Sequence, residues 1–367
     1  MFLLCMKIVL AFVLALLPLA AQVVTTEPVG FNKVTCLANS DTIVGVPLRV
    51  QGSITTKLAA VPTLNGELAT LSLASSALPA FSKHYLKFIG GTRDGRWYDI
   101  TANTATSVTI DLNGDNLNGV ISGDSVLIAE YWTLNSLFPP AGATTSWTET
   151  PVGSGNWVPN GHAIVPWPNG LNRRTEVLLP NITAQGINIA SAGTYYITGG
   201  VWKKFGDTSK PNFGDTILYP DNYFSLRHPS TVAHNTIFRS LGEVENKNFT
   251  IFLSTRTTGK QDNFIGLPRP TPIKLKHLGL NDDAVFVASA SALNRKDELL
   301  VFDNETAIRN KAPTVTYYRL STGWRKFGDA STNQDDTTIP AGAGFIIRKS
   351  ISDGSSDVWQ NPLILIP

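Results

Sequence analysis

Thr194-Tyr-Tyr-Ile-Thr-Gly-Gly-Val-Trp-Lys-Lys-Phe-Gly-Asp207 and Thr316-Tyr-Tyr-Arg-Leu-Ser-Thr-Gly-Trp-Arg-Lys-Phe-Gly-Asp329 are two versions of one text. Tyr195/Tyr317, Trp202/Trp324, Lys204/Lys326 and Asp207/Asp329 each lie 122 residues apart. The same offset relates Asn172-Arg-Arg-Thr-Glu-Val-Leu-Leu179 to Asn294-Arg-Lys-Asp-Glu-Leu-Leu-Val301. Downstream it slips by one, so Phe224 matches Phe345 and Arg227 matches Arg348. Further upstream Asp41, Gly45 and Pro47 match Asp262, Gly266 and Pro268 at an offset of 221. A self-match of this length reads as a duplicated unit. The difference, 221 − 122 = 99, is extra chain in the first copy, between Leu48 and Asn172. Both copies are rich in β-branched and aromatic residues, and the glycines ahead of each Trp suit a hairpin feeding a strand. The fold expected is mainly β: two copies of a β-sandwich-like unit in tandem duplication, with a small antiparallel β domain inserted in the first.

The boundaries follow from the offsets. Residues 22–49 plus 131–250 form the first copy, 50–130 the inserted domain, 251–350 the second copy and 351–367 a C-terminal tail. Inside the insertion, Tyr85–Ile89, Arg96–Ile100, Ser107–Asp111 and Asp124–Ile128 are short strand-like runs separated by Gly90-Gly91, Asp94-Gly95 and Asn113-Gly114. Residues 139–170 hold six Pro, five Gly and three Trp (Trp147, Trp157, Trp167) and no strand or helix period, which reads as a long ordered loop or lid.

Composition agrees with this reading. The 38 Thr against 9 Glu, with 30 Gly and 22 Pro, exclude a helical bundle or coiled coil. A formal net charge of +2 leaves no electrostatic footprint for nucleic acid. Residues 1–21, MFLLCMKIVLAFVLALLPLAA, have the anatomy of a secretory signal: Lys7, an apolar core, then small residues. No transmembrane helix is expected in the mature chain. Its one cysteine, Cys36, cannot form an internal disulfide and reads as a buried small hydrophobe.

Chemistry is harder to read. The five histidines form no metal-spaced pair, and the hydrolase, phosphate-loop and dinucleotide motifs are absent, so no catalytic residue is assigned. The retained set Trp202, Lys204, Asp207 and Arg227, with Trp324, Lys326, Asp329 and Arg348, has two readings. One is a core anchor with turn-fixing bridges. The other is a paired ligand site in which an indole stacks on a sugar ring and charged groups bond its hydroxyls. Asp111, Asn113 and Asp115 begin like a calcium loop, which makes Ca2+ the one candidate cofactor. Asn116 stands where that loop needs glycine, and Ser122 where it needs a closing carboxylate. Asn181, Asn248 and Asn304 open N-x-T sequons.

Thr26-Glu-Pro-Val-Gly-Phe31, Thr109-Ile-Asp-Leu-Asn-Gly-Asp115, Tyr131-Trp-Thr-Leu134, Asp262–Pro270 and the twin segments together resemble a family of uncharacterised secreted bacterial proteins described from the Verrucomicrobia. The resemblance implies export from a bacterial cell and brings no activity. The expected function is that of an exported, non-enzymatic extracellular or cell-envelope protein, structural or glycan-binding, with polysaccharide or cell-surface components as partners. Its rivals are a secreted polysaccharide-active hydrolase and a subunit of an extracellular assembly.

Overall fold

The computed structural model describes residues 27–75, 77–140, 149–152, 156–159 and 163–361. The expected signal segment 1–21 and Trp147 lie outside them. The chain is nearly all β. Two five-stranded antiparallel sheets carry the twin text. The first runs Val201–Lys204, Ser191–Thr198, Glu176–Pro180, Phe224–Arg227, Asp41–Val44. The second runs Gly323–Lys326, Val315–Leu320, Glu298–Val301, Gly344–Lys349, Gln261–Gly266. The two orders are the same, and so are the registers. Glu176 faces Arg227, which faces Asp41; Glu298 faces Arg348, which faces Asp262. In the first sheet Gly199 and Gly200 (φ 58° and 74°) form the two-residue turn. That left-handed pair matches the twist of the flanking strands.

Each sheet buries one face against its own apolar cluster. Trp202, Phe138, Phe224, Phe238 and Cys36 belong to the first cluster. Trp324, Phe286, Phe345 and Trp359 belong to the second. Burial pushes the Cys36 thiol up to about 12, so it packs as an inert hydrophobe. Beside the first sheet, Val29–Cys36 pairs along its whole length with Asn235–Val244.

The two sheets meet through reciprocal contacts. The main-chain N–H of Asn310, from the second copy, donates to Asp41 (2.8 Å); that of Asn188, from the first, donates to Asp262 (2.8 Å). Asp41 N–H donates to the Ile308 carbonyl, and Asp262 N–H to that of Gly186. In both kinds of contact the aspartates are 221 residues apart and their partners, Asn188 with Asn310 and Gly186 with Ile308, are 122 apart. A contact in which i touches j and j′ touches i′ is the signature of two-fold association, here within one chain. Gly45 and Gly266 lie against each other at this junction. A Cβ on Gly45 would stand 2.7 Å from the Gly266 Cα, so neither position tolerates a side chain without moving backbone.

The inserted segment forms one seven-stranded sheet, in the order Ile54–Lys57, Ser125–Glu130, His84–Phe88, Trp97–Asn103, Ser107–Asp111, Leu68–Ser72, Thr63–Asn65. Three of these strands add to the four expected. One face makes its own core from Leu71, Leu86, Phe88, Tyr98, Ile110 and Ile128. The other face turns Tyr85 and Lys87 toward the rest of the molecule, which is why His84–Phe88 is buried on both sides.

Two expectations need correction. Within 139–170, Glu149–Val152 and Asn156–Pro159 form a hairpin whose second strand joins Asn235–Val244 in parallel. The stretch is therefore not purely loop; Pro151 and Pro159 masked its strand pattern. Trp167 is buried and stacks on Tyr196 at 3.8 Å. Likewise 351–367 is not simply a tail, because Ser356–Asn361 pairs with Phe249–Ser254 and places Trp359 in the second core.

A buried ionic hub locks the inserted sheet to this frame. Glu245 holds Lys87 (2.5 Å) and Arg49 (3.1 Å), and Arg49 also reaches Glu243 and Glu27. Arg269 donates to the main-chain oxygens of Glu245, Lys247 and Asn361 and to the Asn361 side chain. Strand His84–Phe88, strand Asn235–Val244, the second copy and the last strand are thereby fixed to one another.

Candidate functional site

Strand Trp97–Asn103 sends alternate side chains to opposite faces, so Trp97 and Asp99 share one face. Tyr98 turns into the core of the inserted sheet. Trp97 lies among Tyr219, Tyr131 and Phe249, with ring centroids 6.1, 6.2 and 6.4 Å away. Across from it runs Gln261–Gly266, the edge strand of the second matched sheet, with Phe249–Ser254 and Ser356–Asn361 alongside. These surfaces enclose a cleft of about 820 Å³. The first copy contributes Tyr219, Asp221 and Asn222 to its lining. Phe252 and Ile182 stay exposed in it.

Most polar groups of the cleft wall are already spoken for. Asp262 accepts both guanidinium donors of Arg348 and the Asn188 N–H. The Asn263 amide bonds the Ser254 main chain on both sides. Gln261 bonds Gly186 and Ala184. Asp221 differs: among the described residues its carboxyl is engaged only by its own main-chain N–H. Burial pushes it up to about 7, and the nearby Asp99 charge adds to the shift. Asp99 accepts the Tyr131 hydroxyl. Burial, with Asp99 beside them, also drives the Tyr131 and Tyr219 phenols up, so both remain neutral donors at any ordinary pH.

The candidate calcium residues line the same cleft but do not converge. Both Asp115 oxygens are taken by Arg96 (2.5 Å), and one also accepts from Tyr98 (2.7 Å). Burial pushes Asp115 up, yet the Arg96 and Tyr98 hydrogen bonds outweigh it and leave the carboxyl below its usual range. Asp111 accepts the Asn113 N–H in a local turn, with Asn113 at φ 48°. Among the described residues no group of three His, Cys, Asp or Glu is set to hold a metal.

The twin set falls elsewhere, and its indoles correct the paired-sugar expectation. Trp202 and Trp324 are fully buried and offer no face to a ligand. Lys204 and Asp207 close a turn through a 3.7 Å ion pair and a main-chain bridge; Lys326 and Asp329 share the bridge. Asp207 and Asp329 are held below the usual carboxylate range by the serines and threonine that follow them in the turn. Arg227 clamps Asp41 with two 2.7 Å bonds, as Arg348 clamps Asp262. Each Arg lies three strands from the Lys of its own sheet, so the eight residues form no single site. His228 is sealed between Thr175 and Thr236, and burial lowers it to about 4, so it stays neutral. Asn304 both donates to and accepts from the Ile43 main chain, which leaves its amide no room for a glycan.

Sequence reading missed Trp97, Asp99, Tyr219, Asp221 and Phe252. One signal was present: Trp97 and Asp99 stand two apart in a strand, on one face. No family model, curated protein or solved structure matches this chain.

Proposed function

We propose that the chain is an exported glycan-binding protein and that the cleft between the inserted sheet and the second matched sheet is its binding site. The observation carrying this is the meeting, in one open cleft, of half-exposed aromatic rings and a half-buried carboxyl that no neighbouring side chain satisfies. The C–H faces of a sugar pack on rings such as Trp97, Tyr219 and Phe252, while hydroxyls satisfy groups such as Asp221 and Asn222. A volume near 820 Å³ suits an oligosaccharide segment. The test is a glycan array on the mature chain followed by calorimetry. Phe252→Ala is expected to weaken binding about tenfold, while stability changes by about 1 kcal/mol because the ring lies outside the apolar cores. Absence of any glycan bound at millimolar concentration, or unchanged affinity in Phe252→Ala, overturns the reading.

Asp221 favours a second reading, a polysaccharide hydrolase. A carboxyl still protonated near neutral pH, with a second carboxyl, Asp99, nearby, is the kind of pair from which a general acid and its partner are drawn. Hydrolysis would then fall as pH rises through about 7, and Asp221→Asn would abolish it. A flat pH profile between 5 and 8, or no hydrolysis, removes this reading and leaves the binding one.

The same group makes a stability prediction. Its folded value of about 7 exceeds the ordinary 3.8. The folded state therefore binds the extra proton, and stability declines as pH rises from about 4 to 7. Asp221→Asn should stabilise the protein by on the order of 1–2 kcal/mol at pH 8 and by little at pH 4, measured by denaturant unfolding. A destabilised variant at pH 8 would mean the carboxylate has a structural partner.

A further inference from the structure

Leu171 and Leu293, 122 residues apart, are 92% and 93% exposed, and Phe205 and Phe327, at the same offset, are 61% and 57% exposed. Neighbouring surface positions have drifted: Gly199-Gly200 became Ser321-Thr322, and Thr208 became Ala330. The leucines are almost fully exposed and belong to none of the cores, so packing gives no reason to keep them while their neighbours change; the phenylalanines touch only an arginine on one face and leave more than half of their surface open.

Both tips are also rigidly presented. Asn169 caps the turn carrying Leu171, accepting from the Leu171 and Asn172 N–H groups; Ser291, 122 residues on, accepts from Asn294. The Phe205 and Phe327 N–H groups each bond the carbonyl of a matched threonine, Thr194 and Thr316, at 2.8 Å. Between leucine and phenylalanine stands an arginine locked to a buried glutamate: Arg173 on Glu176, Arg295 on Glu298. Its guanidinium lies over the phenylalanine ring, at 5.9 Å in the first copy and 4.2 Å in the second. Arg174, Lys203 and Lys204 lie within two residues of the first tip's arginine or phenylalanine, and Lys296, Arg325 and Lys326 hold the matching places at the second; with Asp207 and Asp329 counted against them, basic residues still outnumber acidic ones at each tip.

We propose that these twin tips are membrane-docking prongs, each inserting a leucine and a phenylalanine into a bilayer whose anionic headgroups meet the surrounding cations. An apolar tip with a cationic collar fits an interface that is oily beneath and negative above. A leucine has no face for a sugar ring, which separates these prongs from the cleft.

The experiment is co-sedimentation of the mature chain with vesicles of phosphatidylglycerol and phosphatidylcholine, and with phosphatidylcholine alone. Binding to the anionic vesicles is expected, weakened at least tenfold between 50 and 300 mM salt. Leu171→Ser with Phe205→Ser should weaken it at least threefold, and adding Leu293→Ser and Phe327→Ser should abolish it. These side chains are outside the cores, and circular dichroism with thermal melting checks that each variant is folded. No binding to anionic vesicles, equal binding to phosphatidylcholine alone, or full binding by a folded four-residue variant overturns the proposal.

Discussion

Glu245→Gln is expected to lower the unfolding free energy by about 3–5 kcal/mol, the cost of removing one partner from a buried ion cluster. Glu245 is almost wholly buried, and it faces Lys87, Arg49 and the Arg269 guanidinium. Counting Glu27 and Glu243, the hub balances at 3 − 3 = 0. Without Glu245 it stands at 3 − 2 = +1, and the surplus sits where water cannot screen it. Burial already lowers Lys87 to about 8, with Glu245 opposing the fall. In the variant Lys87 drops further and loses its proton in the folded state at lower pH. The unfolded chain, at the ordinary 10.5, then binds more protons than the folded one over a wider range, so the variant gains stability with pH sooner than the parent. The deficit measured by denaturant unfolding should therefore narrow as pH rises toward about 8, where the parent's Lys87 also loses its proton, and level off above that. A packing defect would show no such trend. Lys87→Met added to Glu245→Gln should restore part of the loss, because it removes an unpaired charge. A double variant costing the sum of the two singles would contradict this picture. The hub also pins the inserted sheet opposite the second matched sheet, so loosening it should weaken whatever the cleft holds.

Part of this architecture was legible in the sequence because it rests on local chemistry. Strand alternation and turn glycines are short-range signals, so the twin text marked where two sheets of identical order form, down to the one-residue slip that carries Arg227 to Arg348. The inserted strands that went unread, Ile54–Lys57, Thr63–Asn65 and Leu68–Ser72, are short and mostly exposed, with threonine where an apolar residue would announce a strand. The cleft was illegible for another reason. Trp97, Tyr219, Asp221 and Phe252 come from three units, and no spacing along the chain says that those units share a wall. Retention between copies pointed to residues that the shared fold needs. Asp41, Arg227 and Glu176, with Asp262, Arg348 and Glu298, form a row of acid, base and acid across three strands. Fold and ligand both preserve charged residues, and only exposure separates the two causes: it set Trp202 and Trp324 aside as core, and it singled out Leu171 and Leu293.

Asp41→Asn and Asp262→Asn should each cost about 2–4 kcal/mol, equal to one another within about 0.5 kcal/mol, and each should leave a single unfolding transition. Either change takes the charge from a buried carboxylate that accepts two bonds from its own arginine and one from the opposite copy. Asn310 and Asn188, the donors from across the junction, sit at φ 52° and 54°. An asparagine tolerates that conformation at some cost, and here the bond to the aspartate helps hold it. The variant at position 41 thus frees a loop of the second copy, and the variant at 262 frees a loop of the first. Damage on one side is felt on the other, so the copies should melt together whichever is changed. Two independently stable copies would behave differently: Asp41→Asn would split the transition, with the first sheet unfolding early and the second unmoved. Calorimetry distinguishes the two outcomes directly. The double variant sharpens the test, because both ties hold one junction. Once the first is gone the second has less left to hold, so the combined cost should fall short of the sum.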